Sequence, residues 1–261
     1  MRKGEKRGQT TIFVIVAIVI VAVVIIFFTL TNTGKNIIEN TFGTGEIDPQ
    51  EKLKTCLETN KEVQQDINNI LLQGGSLNPE HYFLYGNTEV EYLCYTNEYF
   101  KTCVMQEPLI IQNVKENVRN AIQPEVEGCI NSLERELKSK GYSIKSTKPE
   151  VSVDIDNKDM FIDLKYNLAI TKGDTKNYGG FRINLNKEVY ELLALSTSIL
   201  NYETKYGDAD PVAFMALYPN IKVEKLKQGD SSKIYILTNR NNLNKFQFAV
   251  RSLVFAPGYS M

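Results

Sequence analysis

The 261-residue chain has no tryptophan and a single histidine, His81. One imidazole cannot build a multi-histidine metal centre. No C-x-x-C pair exists to supply a thiolate zinc site, and His81 has no ligand spacing to any cysteine. A lone histidine does not by itself exclude a Ser-His-Asp set, but there is no G-x-S-x-G elbow and no glycine-rich phosphate loop. Excess charge of either sign is missing as well. With 30 basic residues against 31 acidic, nothing marks a nucleic acid or polyanion as partner, and no cofactor is implied. A small-residue A-x-A-like cleavage site is also absent after the longest apolar run, where a conventional secretory signal would carry one.

That run is the most informative feature present. From Ile12 to Leu30 only Thr29 interrupts apolar residues, giving about nineteen residues, long enough as a helix to cross a hydrocarbon core of roughly 30 Å. Valine, isoleucine, alanine and phenylalanine cover every side, so no polar face is left for water. Arg2, Lys3, Lys6 and Arg7 precede the run against Glu5 alone, and little charge follows until Lys35. Positive flanks stay inside, which places the chain beyond the run outside the membrane. The expected organisation is a basic cytoplasmic leader over 1–11, a transmembrane helix over 12–30, a juxtamembrane stalk rich in Asn, Thr and Gly over 31–47, and an extracytoplasmic domain over 48–261. The stretch "KRGQTT" before the run resembles the class III, type IV pilin-like signal of archaeal surface proteins. The resemblance implies processing between Gly8 and Gln9 that would leave the apolar helix in place. Phe13 stands at the fifth mature position, where filament-forming pilins usually carry Glu, so the resemblance extends to processing and less to polymerisation.

All four cysteines, Cys56, Cys94, Cys103 and Cys129, lie beyond the run. An even count in an exported chain reads as disulfides, against the alternative of four buried thiols. Three pairings are allowed by sequence. The favoured one joins Cys94 to Cys103 around a turn and Cys56 to Cys129 between two long amphipathic helices. These rings of about 10 and 74 residues would contribute about 2.7 and 4.4 kcal/mol on the loop-entropy model.

Periodicity predicts one helix from a cap at Asp48 and Pro49 to a stop at Gly74-Gly75, on Leu53, Cys56, Leu57, Ile67, Ile70 and Leu71. "HYFLYGNTEVEYLCYT" reads as a hairpin about Gly86-Asn87. A second long helix is expected from Pro108 to Gly141, on Val114, Val118, Ala121, Val126, Cys129, Leu133 and Leu137, kinked or divided at Pro124. Glu134, Arg135, Glu136 and Lys138 form its solvated face. Strands follow at "EVSVDID", at "MFIDLKYNLAI" as one alternating run, and at "FRINLN". A helix over 187–206, a shorter one from Asp210-Pro211, and three closing strands complete an α+β domain with a mostly antiparallel sheet. The body is similar to a family of single-pass envelope proteins of small-genome archaea. The shared features are "GQTTIF", "LKTCLE" leading into "LLQGGS", "EGCINSLERELKSKGY" and "VSVDI", over roughly residues 1 to 205. The similarity implies an envelope location and supports the cysteine pairing, without implying an activity.

Candidate chemistry reduces to acids and aromatics. "DIDNKDMFID" has Lys158 at a ligand position of a calcium loop and lacks its glycine and final Glu, so a hairpin turn over 156–159 accounts for it. Asp208 and Asp210 precede a Pro-started helix and read as caps. Tyr92, Tyr95 and Tyr99, with "HYFLYGN" and "FAPGYSM", offer either a surface for proteins or glycans or cross-strand packing. The function expected from these features is a membrane-anchored binding, adhesion or surface-structural protein with no catalytic activity. A pilin-like subunit self-associating through its N-terminal helix is the alternative, and an exported hydrolase the third.

Overall fold

The computed structural model describes residues 47–254 together with Ile18 and Ile20, which are helical and exposed. The leader, Gly8, Gln9, Phe13, the rest of the apolar run, residues 31–46 and the tail from Phe255 lie outside the described residues. Among the described residues no helix is long and apolar enough to cross a membrane.

Pro49 opens α1 (Pro49–Thr59), whose buried face carries Leu53 and Leu57. The single helix expected here is two. Asn60 is extended, and its side-chain carbonyl accepts the N–H groups of Glu62 and Val63, capping α2 (Lys61–Leu72). A short amide so close to the backbone offers its neighbours a bond in place of the helical one. α2 ends at the predicted stop. Gly74 and Gly75 take positive φ, and a Cβ on Gly75 would lie 2.7 Å from Val114 Cγ2, so both conformation and space require glycine.

After the hairpin comes α3 (Ile110–Ser139), 30 residues that run through Pro124 without dividing. Pro124 is exposed, so the carbonyl it leaves unpaired faces water. On the opposite side Val114, Val118, Ile122, Val126, Ile130, Leu133 and Leu137 are buried. At about 1.5–3 kcal/mol each, these residues outweigh the roughly 3 kcal/mol cost of one internal proline. Ile122 occupies the core position expected for Ala121, which is only half-buried.

Among the described residues twelve strands make three sheets. The largest contains β1 (Tyr82–Tyr85), β2 (Thr88–Tyr95), β12 (Lys245–Arg251), β11 (Ser232–Asn239) and β10 (Ile221–Lys227) in that order, with β3 (Val104–Met105) also on β2. Its β12–β2 pair is parallel and its other pairs antiparallel, so the sheet is mixed. The two small sheets are antiparallel: β4 (Ser143–Ser146), β7 (Leu168–Lys172) and β8 (Asp174–Tyr178) form one, and β5 (Glu150–Ile155), β6 (Met160–Lys165) and β9 (Phe181–Asn184) the other. The run expected as one strand from Met160 to Ile170 therefore changes sheets. At the crossing Thr147 donates its N–H to the Asn167 carbonyl, and Asn167 returns its N–H to Thr147 Oγ1. Alternation survives the switch, since Met160, Ile162, Leu164, Tyr166, Leu168 and Ile170 are all buried.

Helices α2 and α4 (Tyr190–Tyr206) pack on the large sheet, α3 packs on β5, and α5 (Pro211–Leu217) packs on β10. Both disulfides of the favoured pairing are formed: Cys56–Cys129 joins α1 to α3, and Cys94–Cys103 links β2 to the residue before β3. The domain is α+β and stapled twice.

Candidate functional site

The three tyrosines singled out by sequence occupy different environments. Tyr92, facing the β11 side, is buried, and its hydroxyl is 2.7 Å from Ser232 Oγ. Burial holds that phenol above its ordinary pKa. Tyr95 is half-buried with its ring 5.0 Å from that of Tyr92, and the His81 ring packs against both, at 4.8 Å from Tyr92 and 4.1 Å from Tyr95. Arg251 donates to the Tyr95 hydroxyl (3.0 Å) and to the Asp230 carbonyl. Tyr92 and Tyr95 thus form part of the packing between β2 and the end of β12. Tyr99 lies beyond the strand and is 61% exposed, beside Phe100 at 76%.

The loop carrying Tyr99 and Phe100 is closed by Cys94–Cys103 and laced to the end of β12. Thr96 donates its N–H to the Arg251 carbonyl and Phe100 to the Leu253 carbonyl, Leu253 donates to Lys101, and Cys103 donates to Ser252 Oγ. Phe100 has φ of 60°, a left-handed conformation costing a bulky residue of the order of 1–3 kcal/mol. The lacing offsets that strain and holds the phenyl ring in water.

A second cluster was not visible in the sequence. Glu203 of α4 is fully buried, as is Tyr235 of β11, and Lys233 is nearly so. Residues 233 and 235 share one face of the strand, where both meet Glu203. Lys233 Nζ donates to Glu203 Oε2 (2.5 Å), to the Gly207 carbonyl (2.6 Å) and to Asp208 Oδ1 (3.3 Å). The Tyr235 hydroxyl and the Ala209 N–H donate to Glu203 Oε1. Burial first, and then the Glu203 charge, raise the Tyr235 phenol. Burial alone would raise Asp208 as well, but the hydrogen bond from Lys225 and the charges of Lys233, Lys225 and Lys227 hold it below the ordinary range. Asp208 is therefore part of this network and not a cap. Asp210 is the cap, accepting the Val212 N–H. Every polar atom named has a partner, and the arrangement clamps the α4 terminus to the sheet. Gly207 completes it at φ of +77°, where a Cβ would lie 2.0 Å from Val254.

The acids of "DIDNKDMFID" and of the α3 face are engaged one by one. Asp156 caps its own turn through the N–H groups of Lys158 and Asp159, and Asp159 accepts from Asn184. Asp154 pairs with Lys115 and Arg182, and Asp163 with Arg182. On the face of α3 expected to be solvated, Glu134 accepts from Tyr166 and Ser146 while Glu136 pairs with Lys52 and Lys140. Among the described residues no group of three or more His, Cys, Asp or Glu can hold a metal ion. An open groove of about 410 Å³ lies beside β4 and β7, lined by Lys145, Thr147, Asn167, Asn177 and Tyr178 among others. Thr147 and Asn167 already bond each other there.

Comparison with protein-family models, with curated proteins and with solved structures finds no match to the chain.

Proposed function

We propose that the chain is a single-pass membrane protein whose disulfide-stapled ectodomain binds a protein or glycan at the cell surface, in adhesion or surface organisation, through the loop that carries Tyr99 and Phe100. One observation carries the contact site: the two aromatic rings are exposed on a loop fixed by a disulfide and by backbone bonds to the end of β12. A rigid aromatic pair forfeits little conformational entropy on binding and brings apolar area together with a polar tip. Two closed disulfides support an oxidising compartment. A binding role suits a domain in which the acids singled out by the sequence are held by cations, caps and hydroxyls.

The test is cell-surface crosslinking of the full chain against a Tyr99→Ser, Phe100→Asn variant, since asparagine tolerates the left-handed backbone. Loss of crosslinked neighbours at unchanged thermal stability is expected. Equal crosslinking by a variant of unchanged stability removes the loop as the contact. Intact mass should rise by four hydrogens on reduction, two for each disulfide. No change would argue against an exterior location. The same spectrum shows whether residues 1–8 are retained.

A further inference from the structure

The segment Pro211-Val-Ala-Phe-Met-Ala-Leu-Tyr-Pro219 contains no charged residue, and α5 within it has no buried residue. Short helices in proteins are normally stabilised by burying an apolar face. Here Val212 is 68% and Leu217 76% exposed. The exposed surface continues onto α4, where Tyr202 and Tyr206 are exposed with rings 4.5 Å apart, Phe214 packs edge-on to Tyr202, and Lys205 lies over the Tyr206 ring. The patch is not loosely held. Asp210 caps α5, α5 packs on β10, and the Glu203–Lys233–Asp208 network anchors the turn between α4 and α5.

We infer that this α4–α5 face rests on the outer surface of the lipid bilayer that holds the chain's own N-terminal apolar run. The inference depends on the anchor proposed above. Two observations favour lipid over a protein partner. The side chains from Val212 to Leu217 offer no hydrogen-bonding group, whereas protein interfaces carry about one hydrogen bond per 100–200 Å². Beside this apolar centre stand the phenols of Tyr202 and Tyr206 and the amine of Lys205, the groups that settle at the headgroup layer while their apolar stems pack below. The connecting chain adds the second argument. Residues 31–46 span at most about 58 Å even if fully extended, so the domain never leaves the vicinity of the bilayer, and tethering lets a patch of modest affinity stay engaged.

The absence of tryptophan provides a clean probe. Leu217→Trp places one indole in the patch and Tyr82→Trp places one on β1; both native side chains are exposed, so folding should be unaffected. Each full-length variant is reconstituted in vesicles of phosphatidylcholine with a minor fraction of phosphatidylglycerol, with and without brominated acyl chains. The Leu217→Trp indole should emit at shorter wavelength and be quenched roughly twofold or more by brominated lipid, as an interfacial residue is, and the Tyr82→Trp indole should not. Water-like emission from Leu217→Trp overturns the inference. So does blue-shifted emission without bromine quenching, because a partner protein or a second copy would then cover the patch. Alkaline extraction reports on the anchor separately. A chain that stays in the vesicles with an unquenched indole retains its anchor and loses this contact, whereas an extracted chain whose indole had been quenched keeps the contact and loses the anchor.

Discussion

Strands β11 and β8 are ladders of similar hydrogen bonds in opposite surroundings. Seven of eight residues of β11 are buried, Ser232, Lys233, Thr238 and Asn239 among them, while none of the five residues of β8 is. β11 packs against helix α4 and contributes Ile234 to an apolar cluster with Val90, Tyr92 and Ala249. Polar groups on such a strand must bring partners from the protein, and Lys233 and Tyr235 do so through Glu203. β8 is open to solvent, and a bond such as that between its Thr175 hydroxyl and Thr171 Oγ1 is itself exposed. The contrast teaches that ionic contacts around β11 and on the exposed small sheet of β5, β6 and β9, alike in distance, carry different energies: in one the alternative to the contact is an unsolvated charge, in the other it is a hydrated one.

Removing one member of the buried set tests this most severely. Lys233→Met leaves Glu203 as a buried charge without its cation and should cost about 3–5 kcal/mol in chemical denaturation. The double variant Glu203→Leu, Lys233→Met removes both charges and should recover much of that loss, though the Tyr235 hydroxyl then lacks its acceptor. If single and double variants are equally destabilised, packing and not charge accounts for the cluster.

The disulfides come next and rank the two staples. On the loop-entropy model Cys56–Cys129, with a sequence separation of 73, contributes about 4.4 kcal/mol, and Cys94–Cys103, with a separation of 9, about 2.7 kcal/mol. Paired alanine substitutions followed by urea denaturation should give that order. A reversed order would mean that the short ring does more than close a loop, which is the outcome expected if it also sustains the left-handed Phe100.

An intermediate case lies on β2. Glu91 is half-buried, its Oε2 is buried without a hydrogen-bond partner, and burial, then the charges of Glu107 and Glu80, push its carboxyl up to about 7. The folded pKa is raised, so the folded state holds the proton more tightly. Stability should therefore be greatest below the unfolded carboxyl value near 4.5 and decline as pH rises to about 7. Glu91→Gln should flatten this decline and stabilise the protein at pH 8 by about 1–2 kcal/mol, a figure reduced for the part of the side chain that water reaches. Stability that rises over the same interval would overturn the assignment.

Much of this architecture was legible in the sequence because it follows from period and punctuation. The stripes of α1 to α3, the Gly86-Asn87 hairpin, the Asp210-Pro211 start and the strands of β5, β10, β11 and β12 all carry local signals. The misses have physical causes. Asn60 breaks a helix through a side-chain bond that apolar spacing does not register. Met160 to Ile170 keeps one alternating face while passing between two sheets, and alternation is blind to the sheet a strand joins. β4 and β8, "SIKS" and "DTKNY", are polar edge strands without an apolar period. Lys233 meets Glu203 from 30 residues away, and a lysine in a strand reads as solvated until the helix above it is placed. The site was partly legible for the same reason: aromatic density marked the right segment, but only the fold separates packed Tyr92 from exposed Tyr99.

The smallest expected effect completes the comparison on the exposed side. Arg182 pairs with Asp163 at 2.8 Å and with Asp154 at 3.2 Å and lies over the Phe161 ring, with nearly half of its side chain in solvent. These distances differ little from those around Lys233. Arg182→Met should nevertheless cost no more than about 1 kcal/mol at low ionic strength, and most of that should vanish in molar salt, where screening acts over about 3 Å. The loss from Lys233→Met should hardly change with salt, because counterions do not reach a side chain enclosed by α4 and β11. If both losses fall together with added salt, the Glu203 cluster is wetter than its burial indicates, and the energetic distinction between the two-sided sheet and the solvated ones disappears.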